Sequence, residues 1–177
     1  MTNDIQVRDQ MTAIWKKAVS LYRGGNYDHS RWFDTREREF LAGIGTQPHE
    51  IYDFAEDYCD DGVPSLETFL RIHEIRRDYF LKQQGGVLSR HEVPAEALPA
   101  RQAELGGFAW LPRLIAKAQA KLRGELHHSI MFGCGGDRAF LREHGLRAED
   151  FFQAVRDHEN DDDAILDWLA KHRKPSS

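Results

Sequence analysis

The chain has 177 residues and carries 24 Lys and Arg against 29 Asp and Glu, a formal net charge of -5 at pH 7. This length suits one ordinary domain or two small ones, and a content of 41% hydrophobic and 30% charged residues is typical of a chain that buries a core. The net negative charge argues against a basic nucleic-acid-binding surface, so no nucleic acid is expected as a partner.

The composition of the N-terminus and the cysteine content bear on location. The first thirty residues contain charged and amide side chains throughout and lack the apolar segment of a signal peptide. No stretch reaches the roughly eighteen apolar residues of a membrane helix, so no membrane partner is expected. Two cysteines, Cys59 and Cys134, are too few for a disulfide framework and favour a reducing compartment. The sequence therefore predicts a cytoplasmic protein.

The first half of the sequence predicts four helices in chain order. A face with a 3.6-residue apolar period ends at Gly24, and Asp34 begins a short helix with the spacing of a capping box. Pro48 suits the first turn of a third helix that ends near Gly62. Ser65 then caps a fourth and longer helix.

A connector separates this half from a second helical half. Residues 85–110 contain two Gly-Gly pairs and two prolines with little periodicity, and no segment shows the alternation expected of a sheet. The sequence thus predicts an all-α protein. Its parts are an N-terminal helical repeat at 1–84, the connector at 85–110 and a C-terminal helical repeat at 111–177, either as separate units or as a single compact domain.

The two halves are similar to each other at a constant offset of one hundred. Residues 14–58 align with 114–158 without a gap, and nine of the forty-five positions are identical, where average composition gives roughly two to four. This pattern predicts an internal duplication around a shared core with a pseudo-twofold relation. The alternative is two unrelated helical hairpins with similar turn residues. The residues expected to be buried in this core are Phe40, Leu41, Phe140, Leu141 and Trp168.

The segment from Gly133 to Arg138 is a glycine-rich turn that leads directly into a helix. Backbone amides at a helix start favour an anion, and the same field activates a thiol such as Cys134. The alternative is structural: the glycines permit the turn, Asp137 caps the helix and Cys134 is a small buried residue. The first repeat keeps an arginine at the matching position but has neither the cysteine nor the glycines. The candidate catalytic residues are Cys134, Asp137 and His128, and the candidate ligand-binding residues are Gly135, Gly136, Arg138 and Arg38.

No cofactor or metal is assigned from the sequence. The chain lacks the glycine-rich nucleotide motifs, the zinc-protease motif and a Cys-x-x-Cys pair. His127 and His128, with Cys134 six residues later, could contribute to a mononuclear metal site. Adjacent histidines on a regular element point apart, however, and no fourth ligand is evident. The sequence leaves this question open, and it places the other histidines at surface positions or helix ends.

Two charged faces of opposite sign occur in the two halves. The segment 50–61 is strongly acidic, whereas Arg113, Lys117 and Lys121 form a basic stripe at spacings of four residues. We expect these faces to contact each other within the chain or across a homodimer, or one of them to bind a protein partner.

The segments WLPRLIAKAQAKLRGEL and MFGCGGDRAFLREHG resemble a bacterial family known as domain of unknown function 5069. The resemblance is closest over residues 111–168 and extends over most of the chain after residue 13, with 14–84 similar to the N-terminal part of longer members. It implies no activity, but it adds weight to Cys134 and Asp137 as motif positions.

Two functions of different classes therefore remain. The first is a binding or protein-interaction module, favoured because no complete set of catalytic residues can be assembled. The alternative is a small-molecule enzyme, or a site for a small anionic ligand or a reactive thiol, on the turn 133–138. Faster alkylation of Cys134 than of Cys59 at neutral pH would favour the alternative.

Overall fold

A computed structural model of the chain describes residues 3–174 and is mainly helical. The outer ends of the two predicted repeats, residues 1–2 and 175–177, lie outside the described part. Eight α-helices occur within 3–174: α1 (Asp4–Arg23), α2 (Thr35–Gly43), α3 (Pro48–Asp61), α4 (Leu66–Lys82), α5 (Leu111–Arg123), α6 (Gly135–Glu143), α7 (Ala148–Asp157) and α8 (Asp162–His172).

Local capping explains where these helices begin and end. Asp34 accepts a hydrogen bond from the amide of Glu37 at 2.9 Å, and the Glu37 carboxylate accepts one from the amide of Asp34 at 2.8 Å, which is the predicted capping box of α2. Pro48 lies in the first turn of α3, and Gly62 ends that helix in the left-handed conformation. Ser65 caps α4 through the amide of Thr68. The predicted starts and stops in this half are therefore confirmed.

The connector is more ordered than the sequence predicted. It contains a short antiparallel hairpin of β1 (Glu104–Leu105) and β2 (Phe108–Ala109). Gly106 and Gly107 form its turn, both at positive φ, as a tight two-residue hairpin turn requires. The expectation of a purely α-helical protein is thus corrected to a mainly helical one.

The two halves have the same helix order, with several matching boundaries. Helices α2 and α6 begin at residues 35 and 135, and α3 and α7 at 48 and 148. Helices α1 and α5 end at 23 and 123, whereas α4 and α8 begin at 66 and 162. The offset of one hundred thus holds through three helices of each half and changes before the fourth.

The core is shared between the halves. One hydrophobic cluster includes Trp15 and Phe69 from the first half and Leu114 and Phe151 from the second. Helix α4 contacts both α5 and α7 and so joins the halves. Among the five residues expected in this core, three are buried and two are only half-buried. The buried ones are Leu41, Phe140 and Leu141, whereas Phe40 and Trp168 are partly buried and pack against the core.

Trp168 lies near the outer end of α8, where its ring stacks on His172 with centroids 4.6 Å apart. This stacking partner is exposed, which explains the partial burial of the tryptophan. Among the helices in residues 3–174, none is long and apolar enough to cross a membrane.

Candidate functional site

A cleft of about 500 Å³ opens where α3, the connector, α5 and the turn before α6 meet. One wall is acidic and comes from α3, with Asp53, Glu56 and Asp57. The opposite wall is basic and includes Arg101, Arg113 and Lys117. The remaining lining residues are Ala95, Trp110, Cys134 and the loop residues His128, Ser129, Ile130 and Met131.

A buried ion pair lies at the base of this cleft. Lys117 Nζ donates to Asp137 Oδ2 at 2.5 Å, and the two residues are only 2% and 0% exposed. The backbone amide of Gly133 donates to the same oxygen at 2.8 Å, and Trp110 Nε1 donates to Oδ1 at 2.9 Å. Three donors thus converge on one carboxylate, which meets the requirement that a buried charge be paired and hydrogen-bonded.

Cys134 lies directly beside this pair. It is the N-cap residue of α6, and its Sγ accepts a hydrogen bond from Lys117 Nζ at 3.1 Å. The side chain is half-buried and lines the cleft. The expected placement of Cys134 at a helix N-terminus is therefore confirmed, and its reactivity stays a prediction.

The backbone of Trp110, a residue that lines the cleft, is strained. Its φ of 73° and ψ of -26° make it the one non-glycine residue at positive φ in the described part of the chain. For a bulky side chain this conformation costs on the order of 1–3 kcal/mol. The hydrogen bond to Asp137 and close contact with Gly136 hold the ring, since a Cβ on that glycine would lie 2.5 Å from an indole carbon.

The charge of the acidic wall is reduced in two ways. Burial raises the pKa of Asp53 to about 7, although the charge of Lys121 opposes this shift. Burial also raises the pKa of Asp57, against the effect of Arg138, with which it forms an ion pair. Arg138 further contacts Asp61 at 2.5 Å. The wall therefore carries less negative charge than its three carboxyl groups suggest.

The basic wall keeps two unpaired positive charges. Within residues 3–174, neither Arg101 nor Arg113 forms an ion pair with a carboxylate. The Arg113 guanidinium donates to the backbone oxygen of Pro99 at 2.8 Å, and that of Arg101 lies 5.9 Å from the centroid of the Trp110 ring. A guanidinium stays charged at neutral pH, so this wall carries two positive charges that no described carboxylate pairs.

The structure brings together part of the predicted site. Cys134 and His128 line the cleft. Asp137 does not line it but accepts a hydrogen bond from the lining residue Trp110. Gly136 serves contact with the indole of Trp110, and the nearest atom to a Cβ on Gly135 would be an Arg138 nitrogen 3.9 Å away. These two glycines thus have different surroundings, and only Gly136 is sterically required to be a glycine.

The two arginines proposed as ligand-binding residues are engaged elsewhere. Arg138 donates to the carbonyl oxygen of Gly133 at 3.0 Å, and Arg38 donates to that of Phe33 at 2.8 Å. Each arginine therefore stabilises the turn before its own helix. Neither Arg38 nor Arg138 lines the cleft, and a role of either in ligand binding stays a prediction.

The sequence interpretation missed the role of the lysines on α5. Lys117 and Lys121 follow the apolar positions Leu114 and Ala118 by three residues, so they share the inward face of the helix. That spacing was the available signal, but the stripe was expected to contact the acidic segment or a partner and not to form part of the core. Both lysines are in fact buried.

The buried Lys121 forms a second ion pair, with the half-buried Glu50 of α3. Burial opposes ionisation of Glu50, but the charge of Lys121 lowers its pKa to about 2. Nearby His73 is buried in the middle of α4, where burial and the same lysine lower its pKa to about 3. The acidic helix and the basic stripe thus meet within the chain, and the expectation that all other histidines lie at surfaces or helix ends is wrong for His73.

The fold and the site define a mainly helical protein in which a buried lysine–aspartate pair supports a charged surface cleft. Residues 96–177 match the model of the family described as a domain of unknown function, DUF5069, and through this half the chain belongs to that family. The match contains Cys134 and Asp137 but leaves out 14–84, so the resemblance over most of the chain was overstated, and a bacterial origin stays a prediction. No curated protein and no solved structure matches the chain.

Proposed function

We propose that the protein binds a small anionic molecule in the cleft beside Cys134. The observation that carries the proposal is the pair of guanidinium groups, Arg101 and Arg113, which face this cleft without a carboxylate partner among the described residues. The volume of about 500 Å³ falls in the range of small-molecule sites, roughly 300–1,000 Å³.

The acidic wall does not cancel this positive charge. Asp57 is paired with Arg138, and burial raises the pKa of Asp53 to about 7, so that carboxyl carries less than a full negative charge at neutral pH. Glu56 accepts hydrogen bonds from the hydroxyl groups of Tyr52 at 3.0 Å and Tyr22 at 3.4 Å. These contacts engage the carboxylates with other groups of the protein, so none of them pairs with Arg101 or Arg113, whose only polar side-chain contact among the described residues is that of Arg113 with the Pro99 carbonyl oxygen.

A second candidate function is chemistry at the Cys134 thiol. Its sulfur accepts a hydrogen bond from Lys117, and it lies at the start of α6, where the helix favours negative charge. His128 lines the same cleft and supplies a candidate base. Because Asp137 offsets the charge of Lys117, the thiol alone supports this function less strongly than the arginines support binding.

A protein-interaction role needs a different surface from the one first considered. Lys117 and Lys121 are engaged with Asp137 and Glu50 inside the chain, so they are not available to a partner. A protein partner or a homodimer therefore stays a prediction, and we assign no docking surface to either.

We also propose that the two halves arose by internal duplication. The shared helix order, the offset of one hundred and the matching arginine contacts to Phe33 and Gly133 support it. Superposition of residues 12–62 on 112–160 in an experimental structure tests this proposal. Equivalent helices that fail to superpose under a pseudo-twofold rotation would refute it.

We further propose a cytoplasmic location. Cys59 and Cys134 are both free thiols, and free thiols are typical of a reducing compartment. Cell fractionation with immunoblotting checks this, and recovery in a secreted or membrane fraction would contradict it.

Charge-selective alkylation tests the anion cleft. Iodoacetate and iodoacetamide transfer similar groups to a thiol but differ by one negative charge. If the cleft attracts anions, the ratio of iodoacetate to iodoacetamide rate constants will be at least threefold higher at Cys134 than at Cys59. Cys59 is an internal reference in the same molecule, with Glu56 and Asp60 close to it on α3. Peptide mass spectrometry of the native protein at pH 7, with EDTA present, gives both ratios.

Variants assign the effect to the two arginines. Arg101→Gln and Arg113→Gln are expected to lower the ratio at Cys134, whereas Arg31→Gln, an exposed arginine outside the cleft, leaves it unchanged. Equal ratios at Cys134 and Cys59 in the wild type would overturn the anion proposal. Equal absolute rates of the two thiols would instead remove the case for thiol chemistry.

A further inference from the structure

A second group of ligating side chains lies beside the cleft, where the connector meets the loop between α5 and α6. Glu92, His127 and His128 each offer one ligand atom, and these atoms all lie within 4.8 Å of one another. His127 Nε2 is 3.8 Å from Glu92 Oε1, and the two imidazole centroids are 4.1 Å apart. We propose that these three residues bind a divalent transition-metal ion, with Zn²⁺ as the best chemical match.

Backbone pairing brings the two segments side by side. Val93 and Leu126 form an isolated parallel bridge, and the amide of Val93 donates to the carbonyl oxygen of Glu125 at 2.7 Å. Glu92 and His127 are each one residue from this bridge, on its two sides, so their side chains meet diagonally across it. The two histidines lie in a turn and not on a regular element, so the sequence argument that adjacent rings point apart does not apply.

The observed spacing is close to that of a bound zinc ion. Tetrahedral ligands at about 2.0–2.1 Å from Zn²⁺ lie about 3.4 Å from one another. The separation of 3.8 Å between Glu92 and His127 needs a small closure, and the other pairs of ligand atoms, all within 4.8 Å, need a closure of at most about 1.4 Å. Glu92 and His128 are exposed and can rotate to complete it.

Ser129 makes two contacts to the second ring nitrogen of His127. The backbone amide of Ser129 donates to Nδ1 at 3.1 Å, and Ser129 Oγ lies 2.7 Å from the same atom. Metal binding at Nε2 requires the remaining proton on Nδ1, so the amide contact is then lost and the hydroxyl oxygen accepts that proton, a type of contact that orients histidine ligands in known metal sites.

The chemistry of the three side-chain ligands favours some metal ions over others. Two imidazoles and one carboxylate suit Zn²⁺ and similar ions, whereas Mg²⁺ and Ca²⁺ prefer oxygen ligands alone. Three protein ligands leave a fourth position, as in catalytic zinc sites. Glu92 and His128 also line a cavity of about 250 Å³, together with His49 and His91. The proposed site is therefore open to an exchangeable ligand.

Isothermal titration of ZnCl₂ into the full chain without a histidine tag tests the proposal. One equivalent of Zn²⁺ is expected to bind, and Glu92→Gln and His128→Ala should each weaken the affinity at least tenfold. His158→Ala is the matched control, because this exposed histidine at the end of α7 lies outside the cluster. Its affinity should equal that of the wild type. Circular dichroism verifies that each variant is folded.

A Cys134→Ser variant separates this site from the thiol. Unchanged zinc affinity in this variant supports the cluster around Glu92. Loss of binding in Cys134→Ser together with full binding in Glu92→Gln would place the ion on the thiol and overturn the proposal. Absence of zinc binding to the wild type, or equal affinity in all variants, would also overturn it. None of these outcomes affects the anion proposal, whose alkylation assay contains EDTA.

Discussion

Replacement of Asp137 by asparagine is expected to cause a large loss of stability. Asp137→Asn keeps the size of the side chain but removes its charge and one of its two acceptor oxygens. The donors of Lys117, Trp110 and Gly133 remain in place around it. One amide oxygen cannot serve donors that approach both carboxylate oxygens, so at least one buried donor loses its partner.

The magnitude follows from the burial of the pair. Lys117 is 2% exposed, so water cannot replace the lost carboxylate. Breaking a buried ion pair by removing one partner costs about 3–5 kcal/mol, and an unsatisfied buried donor costs about 1–3 kcal/mol. These costs overlap, so we expect a total of about 3–5 kcal/mol, a large share of the roughly 5–15 kcal/mol that stabilises a typical domain.

Urea unfolding followed by circular dichroism at pH 7 measures this loss. The double variant Lys117→Met, Asp137→Asn should recover about 2 kcal/mol relative to the sum of the single changes, because it leaves no unpaired charge. Asp4→Asn is the control, since Asp4 is exposed and its pair with the half-buried Arg77 is worth about 0–1 kcal/mol. A loss below about 1 kcal/mol for Asp137→Asn, or strict additivity in the double variant, would refute the reasoning.

Three further changes test the packing and electrostatics around the site. Gly136→Ala is expected to cost about 1–3 kcal/mol in urea unfolding because its Cβ would overlap the Trp110 ring, whereas Gly135→Ala should be nearly neutral; equal costs would contradict this packing. Arg76→Met should raise the free energy of unfolding by about 1–3 kcal/mol, because this buried guanidinium donates no hydrogen bond to any residue in 3–174; a decrease would indicate an unrecognised partner. Because burial raises the pKa of Asp53 from 3.8 to about 7, the folded state retains a proton that the unfolded state releases, and stability should fall as pH rises from about 4 to 7. Asp53→Asn should flatten this dependence and raise the melting temperature at pH 8, and an unchanged pH profile would contradict it.

The helix boundaries could be predicted from the sequence because their signals are local. The capping box at Asp34, the proline at the start of α3 and the glycine that ends it each act within a few residues. The same holds for Cys134, which was expected at a helix start and is the N-cap of α6. Such features depend little on the rest of the fold.

The site depends on contacts between distant segments, which the sequence pattern does not contain. Lys117 and Asp137 are twenty residues apart, and their pairing determines that a lysine is buried. Arg101 and Trp110 lie in the connector, where no periodic pattern predicted a structural role. The charges that determine the cleft therefore became apparent only once α3, α5 and the connector were placed together.

Titration of ¹⁵N-labelled protein with inorganic phosphate, at constant ionic strength, tests the anion cleft most directly. The probe is the indole N–H resonance of Trp110, assigned with Trp110→Phe, because the guanidinium of Arg101 lies over this ring. We predict a saturable shift of this resonance that disappears in the double variant Arg101→Gln, Arg113→Gln and persists in Arg31→Gln. No shift in the wild type, or the same shift in the double variant, would contradict the proposed function.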